Sequence, residues 1–303
     1  MSKHSAAIIV TYNREPNLLQ IRNAIIHDEL DFLIISDNSL NNKISNNLKH
    51  VFSTFPIGSV HVIKNVENIG ISKAINQAFQ KGFELECQYF FLIDDDANLI
   101  DGFFSLELKK FKFLKEKEKS LGALCPIVTN NERLLGSNLK LKTEFSKIGG
   151  FITSGALILS DAIKRVDGYD ESFFVEYADL DFSHRIAMKG YGIYRINIVL
   201  SSQDFGTTMK QDKLVSKIAS LQERIISFLL LKNNYTNDYH YFAATYSIDR
   251  LRNIFEQTKY GSKKNGSRFG WLIVMFLSIS RVFYLYLYTG NIDYLKSLSV
   301  WLH

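Results

Sequence analysis

The chain has 303 residues, of which 46% are hydrophobic, 13% aromatic and 22% charged, with a formal charge of +5, two cysteines and three prolines. That length allows a sizeable core, and that apolar content excludes a disordered chain. Cys87 and Cys125 stand alone, which excludes a disulfide framework or a cysteine zinc site and suits a reducing compartment. The opening residues carry one lysine and a five-residue apolar run, too short for a secretory signal core, so a cytoplasmic location is expected.

The charge is unevenly placed. Residues 251–303 hold seven basic and two acidic side chains, and the first 250 residues hold 29 of each. The basic excess therefore belongs to the C-terminal part alone.

In chain order, AAIIVTY (6–12), DFLIIS (31–36), SVHVIK (59–64) and QYFFLI (88–93) are short, β-rich apolar runs that predict strands. Helical periodicity fills the intervals at 16–29, 43–53 and 71–82, the last with Ile71, Ala74, Ile75, Ala78 and Phe79 on one face. Strand and helix alternating at this spacing predict βαβ crossovers and a parallel sheet covered on both faces. KKFKFLKEKEK (109–119) reads as a solvated helix face with Phe111 and Leu114 turned inward. A strand near 122–128, an irregular stretch to about 147 and GGFITSGALIL (149–159) follow. DLDFSHRIAMKG predicts a helix ending at Gly190, and from about 211 the chain turns mostly helical.

Ligands of open α/β sheets bind outside the carboxyl ends of the strands. At those ends stand Thr11-Tyr12-Asn13-Arg14, Asp37-Asn38-Ser39, the stretch Asn65 to Gly70, and Asp94-Asp95-Asp96. In an extended chain Asp94 and Asp96 point to one side and Asp95 to the other. Two carboxylates so placed suit a hard divalent cation that neutralises nucleotide phosphates. The bland alternative is a turn or helix cap. A second acidic cluster, Glu176, Asp179 and Asp181, opens the helix that ends at Gly190, and capping explains one of the three more easily than all. Asp179 is the candidate general base toward a sugar hydroxyl.

These pieces, in this order and together with Asn68, Ala74, Asn76, Thr153-Ser154-Gly155 and Phe173-Phe174-Val175-Glu176-Tyr177, resemble glycosyltransferase family 2, in particular its bacterial rhamnosyltransferase-like branch, over residues 6 to about 206. The resemblance implies an α/β fold of GT-A type, a Rossmann-like, mainly parallel sheet flanked by helices over 1–210, with a helical C-terminal extension over 211–303. It implies inverting, single-displacement transfer from a nucleotide-sugar donor to a hydroxyl of a glycan or lipid-linked glycan. Thr11, Tyr12, Asn13, Arg14, Asp37, Asn68, Gly70, Asp94 and Asp95 would then meet the nucleotide, with Asp37 at the pyrimidine edge. Asp94, Asp96 and Gln203 would meet a divalent cation, Mg or Mn. Asp179 would be the base, and Ser154, Gly155, Glu176 and Asp181 would lie beside the donor or acceptor sugar.

Two positions depart from the family pattern. Ala178 stands where many relatives carry Glu, and Gln203 stands where His is common. An amide oxygen ligates manganese more weakly than imidazole does, so metal dependence is less firmly implied than the fold, and Asp204 is a substitute ligand. L-Rhamnose from dTDP-rhamnose is the donor that the branch suggests. A UDP-hexose or UDP-galactofuranose transferase fits the same motifs, and a catalytically silent nucleotide-sugar-binding scaffold is the reading from another class. A nicotinamide dehydrogenase is disfavoured because TYNREPN lacks the glycine-rich phosphate turn.

WLIVMFLSISRVFYLYLY (271–288) has the length of a membrane span, but Arg281 near its middle costs about 2.5–3.5 kcal/mol at a bilayer centre. Packing on the catalytic domain or in a homodimer is the plainer expectation. The alternative is peripheral contact through 259–288 with the inner face of the cell membrane, where Lys259, Lys263, Lys264 and Arg268 with Trp271 and Phe276 would meet anionic headgroups. No nucleic-acid module accompanies the charge, so no nucleic-acid partner is expected.

Overall fold

The computed structural model describes residues 4–27, 29–129, 131–138, 143–203, 248–264 and part of 279–298. The predicted helix at 216–232, Asp204, Arg268, Trp271, Phe276 and Arg281 lie outside them. The chain divides into two compact units, Met1–Asp204 and Phe205–His303.

The first unit opens with β1 (His4–Thr11), α1 (Leu19–Ile26), β2 (Phe32–Asp37), α2 (Lys43–Phe52), β3 (Val60–Lys64), α3 (Ile71–Glu84) and β4 (Cys87–Asp94). These strands lie in the order β3-β2-β1-β4, all parallel. Ala6, Ala7, Ile8 and Ile9 of β1 and Phe90 to Ile93 of β4 are all buried, as required of strands covered on both faces. One such cover is α3, which buries Ala74, Ile75, Ala78 and Phe79 at helical spacing.

The other half of the sheet is mixed. After β5 (Asn98–Leu99), α4 (Phe103–Lys117) and β6 (Leu121–Thr129) come β7 (Phe145–Lys147), β8 (Ala156–Leu159), α5 (Ser160–Arg165), α6 (Ala178–Met188) and β9 (Gly192–Ser202). The sheet continues β4-β8-β6-β9-β5, with β7 on β9. β8 is antiparallel to both β4 and β6, while β6 and β9 are parallel. The expected α/β sheet flanked by helices is present, and its parallel character is confined to the first four strands and the β6–β9 pair. Inserting β8 against β4 brings residues 153–155 to the carboxyl end of β4, which a purely parallel sheet would not do.

In the second unit the helix Ile248–Lys264 buries Leu251, Ile254 and Phe255, and a short helix spans Asp293–Lys296. Among the described residues no helix is long and apolar enough to cross a membrane.

Candidate active site

The order β3-β2-β1-β4 reverses the chain's direction of travel at β1, which opens a crevice between the loops after β1 and β4. Both loops are laced together there. Thr11 donates from Oγ1 to Asp95 Oδ2 at 3.1 Å and also to the Arg14 carbonyl, and the Asn17 amide donates to the Asp95 carbonyl at 3.4 Å. Arg14 Nη1 lies 3.0 Å from Asp96 Oδ2 and 3.9 Å from Asp95 Oδ1. Asn13 has φ 57°, a conformation that costs a non-glycine residue free energy, and its amide donates to Ser39 Oγ at 2.8 Å. Tyr12 is exposed.

The three aspartates do not alternate as an extended chain would. Strand β4 ends at Asp94, and the Ala97 amide donates back to the Asp94 carbonyl at 3.1 Å, so Asp95 and Asp96 occupy a turn. Both outer carboxylates consequently reach Arg14, and the extended-chain pairing of Asp94 with Asp96 fails for that reason. Asp94 belongs to the interior of the crevice. Burial, then Asp179, Asp96 and Asp95, push its carboxyl up to about 8, while the neighbouring Ser154 hydroxyl acts in the opposite sense. Burial raises Asp95 as well, against the Thr11 hydrogen bond and the Arg14 charge.

Asp37, at the end of β2, is sealed at 0% exposure. The Ser39 amide donates to its Oδ1 at 2.8 Å, and Lys64 Nζ lies 3.2 Å from its Oδ2. Asn65 donates to Ser36 Oγ at 3.0 Å and to Asn38 Oδ1 at 2.9 Å, which completes a buried polar lattice under the first three strand ends. Asn68 Oδ1 accepts from the Gly70 amide at 3.1 Å. Gly70 has φ 83°, and a Cβ there would meet Phe174 at 2.7 Å. Its neighbours at the start of α3 tie down the loop before α6: the Ile71 amide donates to the Phe174 carbonyl at 2.7 Å and Ser72 Oγ to the Phe173 carbonyl at 2.5 Å.

That loop delivers Asp179 into the first turn of α6, through Tyr177 at φ 61°. The Thr153 amide donates to Asp179 Oδ2 at 2.9 Å, and Oδ1 accepts from Thr153 Oγ1 at 2.5 Å and from the Tyr169 hydroxyl at 3.1 Å. Burial nevertheless raises the Asp179 carboxyl above the usual carboxylate range, since these three bonds only partly offset it and Glu176 adds to it. Asp181, two residues on, is buried at 3% exposure and accepts from Arg185 Nε at 2.7 Å, and Arg185 also donates to the Val166 carbonyl at 2.6 Å. The side of Gly155 where a Cβ would stand faces Pro126 and Phe103. Ser154 Oγ is buried without a well-formed hydrogen bond among the described residues.

The register of β5 on β9 pairs Asn98 with Ser202, and the next residue, Gln203, donates from its amide to the Thr129 carbonyl at 2.9 Å. Gln203 Oε1 is buried and has no hydrogen-bond partner among the described residues. No three His, Cys, Asp or Glu side chains meet as a ready-made cation site among those residues. Of the expected cation ligands, Asp94 faces inward and Gln203 Oε1 is unsatisfied, but Asp96 is engaged by Arg14 and would join them only by leaving that pair.

The structure therefore gathers Thr11, Asn13, Arg14, Asp94, Asp95, Asp96, Thr153, Ser154 and Asp179 about one crevice. It ties Asp181 to Arg185, and Asp37 to Lys64. Thr153 and Tyr169 as supports of Asp179, and Asn76 as the holder of the Tyr169 backbone, escaped the sequence reading, although the small-residue stretch 153–155 signalled a close approach.

A mixed sheet with its acidic crevice at this switch point is the architecture of a GT-A glycosyltransferase domain. Solved structures agree: GalNAc-T7 with UDP, GalNAc and Mn2+ superposes at a TM-score of 0.52 and 13% identity, over 66% of this chain and 44% of its own, and S. aureus TarS 1-349 at 0.50 and 12%, over 84% and 79%. Residues 6–116 match the family model described as Glycosyl transferase family 2. Among curated proteins, dTDP-rhamnosyl transferase RfbF of Shigella flexneri is 25% identical over 207 residues, 64% of this chain and 66% of RfbF. The chain thus matches just under two thirds of RfbF and under half of GalNAc-T7.

Proposed function

We propose that this chain transfers a sugar, with inversion, from a nucleoside diphosphate donor to a hydroxyl of a bacterial surface polysaccharide or lipid-linked oligosaccharide. The observation that carries this reading is a hydrogen-bonded carboxylate, Asp179, facing Asp94 across the crevice that the sheet's switch point opens. In this reading Asp179 takes the acceptor's proton, and Asp94 lies on the side of the leaving diphosphate, which a carboxylate can meet only through a cation. The similarity to a dTDP-rhamnosyl transferase makes L-rhamnose from dTDP-rhamnose the first donor to test, with UDP-linked hexoses and galactofuranose as alternatives.

In this reading Thr11 to Arg14 and Asn68 to Gly70 line the nucleotide, and Arg14 carries positive charge toward the diphosphate. Asp37, closed off by Lys64, acts on the base only if the lysine yields its place. Asp94, Asp96 and the unsatisfied Gln203 would hold a divalent cation, which when bound offsets charge on the leaving diphosphate. Asp179 accepts the acceptor's proton as its oxygen attacks, and Glu176 lies beside it. We place the reaction at the cytoplasmic side of the membrane, where the basic stretch around Lys259 and Lys264 suits an anionic acceptor surface.

A screen of dTDP-, UDP- and GDP-sugars by thermal shift, followed by transfer assays with and without EDTA, tests the proposal. Tight nucleotide binding with no turnover of any donor would favour the silent scaffold instead.

A further inference from the structure

Assigning Asp179 as the base does not say which of its oxygens takes the proton, or what aims that oxygen. The hydrogen bonds are unequally shared. Oδ1 accepts two, from Thr153 Oγ1 at 2.5 Å and Tyr169 OH at 3.1 Å, and Oδ2 accepts one, from the Thr153 amide at 2.9 Å. A carboxylate oxygen offers two in-plane lone pairs, so Oδ1 is filled and Oδ2 keeps one. We propose, resting on the reading of Asp179 as the base, that Oδ2 is the proton-accepting atom and that Thr153 and Tyr169 are positioning residues that aim it at the acceptor hydroxyl.

Each support is itself held from a different direction. Thr153 precedes β8, and the Gly155 amide two residues on donates to the Leu92 carbonyl of β4 at 2.8 Å, so the Thr153 donors are registered to the sheet. The Tyr169 ring stacks on Phe182 with centroids 4.0 Å apart and on Phe79 at 6.2 Å. Asn76 grips its backbone on both sides, accepting from the Tyr169 amide at 2.8 Å and donating to the Tyr169 carbonyl at 2.9 Å. The carboxylate is thereby fixed against rotation by one clamp from the sheet and one from the aromatic core, a preorganisation that a reacting group needs.

The step balances simply. The acceptor O–H proton passes to Asp179 Oδ2 as the acceptor oxygen bonds to the anomeric carbon, and the bond from that carbon to the diphosphate breaks with its electron pair leaving on the diphosphate. The titratable groups facing Asp179 are Tyr169 and Glu176 from its own loop, Asp94 at the end of β4 and Cys125 on β6.

The test is Tyr169→Phe, which removes one oxygen and leaves the ring to stack. We expect kcat to fall about tenfold or more, the scale of one hydrogen bond to a charged group, with the donor KM unchanged. The acid limb of the kcat profile should move to higher pH, because a donor that favoured the ionised carboxylate is gone. Thr153→Val should act in the same direction and more strongly, and Thr153→Ser should restore the parent profile. Parent kcat and an unmoved acid limb in Tyr169→Phe and Thr153→Val, with Asp179→Asn inactive, overturn the positioning roles and leave the base in place. An Asp179→Asn enzyme that transfers at the parent rate overturns the base, and this proposal with it.

Discussion

The two acidic stretches of the crevice look alike in sequence, and the structure treats their members differently. After β4, Asp95 and Asp96 turn outward to Arg14, while Asp94 faces inward among carboxylates and is pushed up to about 8. In the first turn of α6, Asp179 is held by uncharged donors and Asp181 by the Arg185 guanidinium. The sort of partner separates them. A cation spends a carboxylate's charge on the fold, whereas amides and hydroxyls orient the carboxylate and leave its charge available to a reacting group.

That contrast can be broken by substitution, with the largest effect expected at Asp179. Asp179→Asn should lower kcat by about 10²–10⁴-fold with nucleotide binding retained, read by transfer assay and calorimetry. Because the Asp179 carboxyl sits above its ordinary range and must be ionised to act, turnover should rise with pH through a value higher than that of a free aspartate. Asp181→Ala leaves Arg185 without its carboxylate and should cost about 3 kcal/mol of stability in urea melts, at the low end of the range for broken buried pairs because the arginine is partly exposed. Loss of turnover at an unchanged melting point would instead return Asp181 to the chemistry. Gly70→Ala meets both a left-handed φ and the Phe174 ring, and a loss of about 1–3 kcal/mol should appear in the same melts. Arg14→Ala, breaking a half-exposed pair, should change stability by less than about 1 kcal/mol. Its donor affinity should nevertheless fall, measurably by titration calorimetry, and if affinity holds, Arg14 serves the aspartates alone.

Much of the parallel half was legible because its signals are local. The apolar runs before Thr11, Asp37 and Asp94 end where strands β1, β2 and β4 end, since a strand buried on both faces must stop where polar side chains begin. The antiparallel intrusion of β8 was not legible, because nothing in ALIL states which neighbour it will pair with. The extended reading of Asp94 to Asp96 failed because a turn starts one residue after the strand's last apolar side chain. The supports of Asp179 were hidden for a different reason. Thr153 lies 26 residues from Asp179, and Asn76 lies 93 from Tyr169, distances over which periodicity carries no information.

The double grip of Asn76 on Tyr169 bears on how this chain can be recombined. One amide on α3 performs the work of a strand neighbour for a loop far along the sequence, so the helix and the 167–179 segment form a single unit of inheritance. A chimaera that takes α3 from one relative and that segment from another would keep every residue of the acidic cluster and still misplace it. A crossover point beyond α6, after residue 190, keeps α3, Tyr169, Asp179 and Phe182 from one parent and avoids that loss.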